Sequence, residues 1–113
     1  MIKEPYRDYA TAAFRAWAAA GRPSAEVCKK EYRGAVRSDF LACDLVRAEI
    51  PAEIWEAVEE VYLTPAGERI AKGEISSRVV RYAMRHYVAE RQVWERLAVA
   101  RREFARRRGL RVE

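Results

Sequence analysis

Three side chains in the stretch RYAMRHYVAERQVWERL, residues 81–97, have the chemistry to read a nucleobase edge: Arg91, Gln92 and Arg96. A guanidinium fork matches the O6 and N7 acceptors of guanine, and a carboxamide matches the N6–N7 edge of adenine. Around them stand Arg78, Arg85, Arg101, Arg102 and the run Arg106, Arg107 and Arg108, whose forks suit phosphate oxygens. Residues 66–113 hold 13 Lys+Arg against 6 Asp+Glu, a net of +7, and twelve of the thirteen are arginine. Residues 1–65 hold 9 against 11, a net of −2. A basic half joined to a near-neutral half points to a polyanionic partner. A solvated helix face laced with salt bridges would have the same composition.

Other chemistries find less support. Glu53, Glu56, Glu59 and Glu60 crowd one helix face, whereas paired carboxylates that do acid/base work need two environments to separate their pKa values. Cys28, Cys43 and the single His86 are too few and too far apart for a zinc site, and the two thiols read as ordinary buried cysteines. Gly67 and Gly73 do not have the spacing of a phosphate-binding loop. We therefore expect no catalytic group, no metal and no cofactor. No apolar run reaches the ~20 residues that span a bilayer, and the opening MIKEPYRDYA lacks the apolar core of a signal peptide. The expectation is a cytoplasmic protein with no membrane contact.

The elements that must position these residues are helical. Tyr6, Tyr9 or Ala10, Ala13, Phe14 and Trp17 form one apolar stripe over about 6–20, stopped by Gly21 and Pro23. Ser24 is placed to cap a second helix over 25–36, with a break near Gly34. Ser38 then caps DFLACDLVRAEI, where Leu41, Leu45 and Ala48 share one side. Pro51 opens PAEIWEAVEEVYL, with Ile54, Trp55, Val58, Val61 and Tyr62 on its apolar face. Pro65, Gly67 and Gly73 mark a connection over 64–74. Two helices follow, and Gly109 closes the last. On that helix Val93, Leu97, Ala100 and Phe104 make the buried stripe, and Arg91, Gln92, Glu95, Arg96 and Arg102 or Arg106 fall away from it. Met84 reads as core filler, His86 as a surface or capping residue, and Trp94 as half-buried packing or, alternatively, an aromatic that stacks on a base or contacts a thymine methyl.

The spacing of the last two helices resembles a helix-turn-helix. Ala83 stands at the small residue of the supporting helix, Val88 at the apolar turn position and Val93 at the buried aliphatic of the second helix. The segment AERQV is close to the SERTV often seen there. Two positions depart from the pattern. Tyr87 replaces the usual glycine, and Ala89 replaces the Ser or Thr cap, so a turn wider than the standard one is expected. Ile50 to Leu110 resembles region 4 of bacterial sigma-70-type factors, and more loosely the whole chain resembles small regulators of Firmicutes phages and prophages, some called ArpU- or RinA-like. The resemblance implies an all-α protein, with an N-terminal helical region over 1–49 and a helix-turn-helix unit over 50–113. It implies a sequence-specific double-stranded-DNA-binding regulator of transcription. Arg91, Gln92 and Arg96 would meet bases, and the other arginines phosphates.

A homodimer is expected, because paired half-sites compensate for the limited affinity of one helix-turn-helix. Phe14, Trp17 and Tyr32 are the expected place for its contact, and RNA polymerase is a further candidate partner. Two rival readings use the same residues: a small helical adaptor whose basic helix binds an acidic protein, and a DNA-packaging or structural phage component. Exposure of Arg91, Gln92 and Arg96 together would favour base reading over the adaptor.

Overall fold

The computed structural model describes residues 4–64 and 73–110. Six α-helices account for most of these: α1 Arg7–Ala19, α2 Ala25–Glu31, α3 Gly34–Glu49, α4 Ala52–Val58, α5 Glu74–His86 and α6 Glu90–Arg108. No strand occurs among the described residues. The connection expected from Pro65 and Gly67 lies outside them. Gly73, in the left-handed region at φ +85°, precedes α5.

The apolar stripe of α1 folds inward. Phe14 packs against Phe104 of α6 with ring centroids 5.5 Å apart and against Trp55 of α4 at 6.1 Å, and Trp17 meets Trp55 at 5.9 Å. Phe14 and Trp17 are fully buried, so they cannot offer the dimer surface expected of them. One continuous core takes residues from every helix and runs across the expected boundary at residues 49 and 50.

The middle of the chain departs from expectation at α3. Helix formation begins at Gly34, with Ser38 inside it, so Ser38 caps nothing. Arg37 Nε donates to the Tyr32 carbonyl at 2.8 Å across the α2–α3 joint, and the Tyr32 and Phe40 rings pack at 5.0 Å. The buried face is Phe40, Ala42, Cys43 and Val46, while Leu45 and Ala48 are exposed and Leu41 is half-buried. Earlier, Ser24 does cap α2, its Oγ accepting from the Val27 N–H at 3.3 Å. Cys28 and Cys43 are both buried free thiols, and burial pushes the Cys43 thiol far up.

The helix that starts after Pro51 ends in a π-helical turn, Glu59–Leu63. Its wider winding lets three consecutive side chains, Val61, Tyr62 and Leu63, enter the core. Carbonyls at a helix end need donors from elsewhere. Here arginines supply them: Arg15 Nη1 donates to the Tyr62 carbonyl at 2.7 Å and Arg78 Nη1 to the Val61 carbonyl at 3.0 Å.

Candidate nucleic-acid interface

The joint between α5 and α6 is a three-residue turn, Tyr87–Val88–Ala89. Tyr87 occupies the left-handed region at φ +56°, ψ +42°, where glycine is the usual residue. For a side chain with a Cβ this costs about 1–2 kcal/mol. The Val88 N–H returns to the Ala83 carbonyl at 3.1 Å, which is the closing bond of a Schellman-type helix end. Ala83 is buried beneath the turn, Val88 packs on the core, and Val93 is fully buried one turn into α6. The turn is therefore as tight as the standard one, and Tyr87 accepts the strained conformation that a wider turn would have avoided. Ala89 has no side-chain acceptor. The Gln92 side chain compensates in part by accepting from the Ala89 N–H at 3.1 Å, half of a capping box.

This geometry fixes which face of α6 is open. Val93, Leu97, Ala100 and Phe104 are all buried, as their spacing predicts. Arg91 and Gln92 are exposed on the first turn, and the Arg91 side chain is 88% accessible, with only a loose 3.5 Å contact to Glu95. Arg96, one turn on, is half-buried and leans back on Tyr82, its Nη1 3.4 Å from the phenol oxygen. That phenol donates to Glu56 at 3.1 Å, and His86 stacks on the same ring at 4.1 Å while its Nε2 lies 3.1 Å from Glu60. His86 is thus a packed, partnered surface residue. Arg102 is exposed and meets no carboxylate within 4 Å among the described residues.

The remaining arginines divide sharply. Arg101 is 2% exposed. Its Nε and Nη2 donate to Glu4 at 2.6 and 3.0 Å, and its Nη1 donates to the Tyr62 phenol at 2.6 Å. It is an internal strut and not a phosphate contact. Its hydrogen bond to Glu4 holds that carboxyl below the usual carboxylate range. Arg78 is likewise withdrawn, capping the Val61 carbonyl and pairing with Glu74 at 3.2 Å. Arg108 is tied to Asp39 at 2.5 Å and to the Tyr9 phenol at 3.2 Å, so it clamps α6 to α3 and α1. These three leave the expected phosphate set because their forks are already spent inside the molecule. Arg107 pairs with Glu49 of α3, Arg85 with Glu60, and Arg106 with Glu103 at 2.8 Å, all at partly exposed sites. Exposed pairs of this kind contribute about 0–1 kcal/mol and can be exchanged for an incoming anion.

One cation escaped the sequence reading. Arg7 of α1 is exposed, its guanidinium 5.8 Å from the ring centroid of the half-buried Trp94. It shares a cleft of about 330 Å³ with Arg91, Trp94 and Glu95. Nothing in the local sequence around Arg7 distinguishes it from any first-turn arginine, since its neighbours come from a helix more than eighty residues away. Met84, expected in the core, is 73% exposed.

Among the described residues no group of three or more His, Cys, Asp or Glu is placed to hold a metal ion, and no helix is long and apolar enough to cross a membrane. The chain matches no protein-family model, no curated protein and no solved structure.

Proposed function

We propose that this protein binds double-stranded DNA with sequence preference through the first turns of α6, and acts as a transcriptional regulator of the sigma-region-4-like type found in phages and prophages. The observation that carries the reading is the α5–turn–α6 unit. Ala83, Val88 and Val93 pack under a three-residue turn, and this leaves Arg91 and Gln92 together on an open helix face. A helix with a guanidinium and a carboxamide side by side near its start suits the major groove, where both groups can bond base edges in a bidentate way. Gln92 would move from its cap to the base, exchanging one hydrogen bond for two. Arg102 and Arg106 lie further along the same helix, and Arg7 borders its start, so phosphates on both sides of the groove find cations. Arg96 serves base contact only if it leaves Tyr82, and we assign it the lesser role.

The test is selection of duplexes from a random pool by the purified protein. The reading expects a recovered motif bound at about 10⁻⁸ M or tighter at physiological salt, with at least ~10³-fold preference over unrelated duplexes. A pool with no enriched sequence and no affinity better than ~10⁻⁴ M would remove even ordinary non-specific binding.

A further inference from the structure

Val80 and Met84 stand one turn apart in a short exposed stripe on α5, away from the core, and Tyr87 follows them in the turn that ends the helix. They are 38%, 73% and 95% exposed. Tyr87 is the telling member. It sits where glycine would be free of strain, and its side chain is almost wholly exposed, with no ring contact among the described residues to offset that cost. An observed strained residue at a surface is a reason to look for a contact it makes. Beside the stripe, Arg81 and Arg85 are each 63% exposed. Each engages its carboxylate, Glu74 or Glu60, through a single Nη2, which leaves the rest of the fork for another acceptor.

We propose that this stripe is a docking surface for an amphipathic helix of a partner protein whose apolar side is flanked by carboxylates. The apolar residues would take the partner's aliphatic side chains, with Tyr87 as the large anchor, and Arg81 and Arg85 would meet its acidic flank. A second copy of this chain fits less well. Pairing α5 with α5 about a two-fold axis would set Arg81 and Arg85 of both copies along one interface and would bring two basic halves together. The surface is distinct from the Arg91–Gln92 face of α6, so the inference does not rest on DNA binding.

The probe is a fluorescein-labelled synthetic helix with leucines at i, i+3, i+4 and i+7 flanked by glutamates, compared with the same peptide carrying lysines in their place. The glutamate peptide is expected to bind at least about tenfold more tightly than the lysine peptide. Met84→Asp, at a site exposed enough to keep the fold, is expected to weaken it about tenfold or more, with the thermal melt and any duplex affinity unchanged. Tyr87→Gly is expected to weaken the peptide while raising the melting temperature, a combination that damage to the fold cannot produce. Equal binding of the two peptides, or binding indifferent to Met84→Asp, would overturn the proposal. So would a dimer in sedimentation that Met84→Asp dissolves, since the stripe would then belong to a second copy.

Discussion

The first half of α6 carries two arginines and the second half five, and the two halves use them differently. At its start, Arg91 stands in solvent beside Gln92, held only loosely by Glu95. At its end, Arg101, Arg107 and Arg108 reach back to Glu4, Glu49 and Asp39, and so fasten the helix to the N-terminal segment and to α3. The difference is set by what lies opposite. Glu4, ahead of α1, and Asp39 and Glu49 of α3 face the second half of α6, whereas Arg91 at its start meets only Glu95 of its own helix among the described residues. A run of arginines is therefore not a phosphate site by composition. Its meaning depends on whether the packing partner is acidic.

The largest effect that would break this contrast lies at the internal strut. Glu4→Ala leaves the Arg101 guanidinium buried with only the Tyr62 phenol, and should cost about 2–3 kcal/mol of stability, less than a fully buried pair because Glu4 is partly exposed. A thermal melt checks it, and a loss under about 0.5 kcal/mol would mean that the strut is an idle surface pair. The same pair predicts acid sensitivity. Glu4 has its carboxyl lowered from the ordinary 4.5 in the folded chain, so its contribution is present above about pH 4.5 and is lost as the pH falls through the lower folded value. Denaturation followed from pH 6 to pH 3 should show wild type losing stability relative to Glu4→Gln across the acid end, and parallel curves would contradict it.

A middle-sized effect sharpens the contrast within the second half of the helix. Arg102→Ala should weaken all duplexes alike and lower the salt slope by about one unit. Arg107→Ala, which breaks the pair with Glu49, should lower the slope by clearly less. Equal slopes for the two would show that the Glu49 pair opens freely on binding. The smallest effect concerns the turn. Ala89→Ser completes the capping box with Gln92 and should stabilise α6 by about 0.5–1 kcal/mol, read as a small rise in melting temperature.

Helix periodicity made much of this legible in the sequence. Val93, Leu97, Ala100 and Phe104 announce the buried side of α6 because a 3.6-residue repeat has one geometric reading. The Ala83–Val93 spacing likewise foretold which residues pack under the turn. Three things were hidden. The face of α3 is ambiguous in sequence because Leu41, Leu45 and Ala48 are periodic too, and the choice between two stripes is made by what packs against them: Phe40, Cys43 and Val46 are the buried ones. The role of Arg101 depends on Glu4, ninety-seven residues away, and on Tyr62, which no local pattern connects. Met84 looked like core filler on hydrophobicity alone, yet it faces outward because Val79, Tyr82 and Ala83 already fill the inner side of α5.

On the function proposed above, the open start of α6 reads DNA while its tethered end holds the fold. The measurement that tests it most directly is the affinity of Arg91→Ala and Arg108→Ala for the duplex recovered by selection, each alongside a thermal melt. Arg91→Ala is expected to lose about 1–3 kcal/mol of binding with its melt unchanged. Arg108→Ala is expected to lower the melt and, at temperatures where it remains folded, to bind nearly as well as wild type. The reverse pattern, with Arg91→Ala binding normally and folded Arg108→Ala losing affinity across all sequences, would contradict the account.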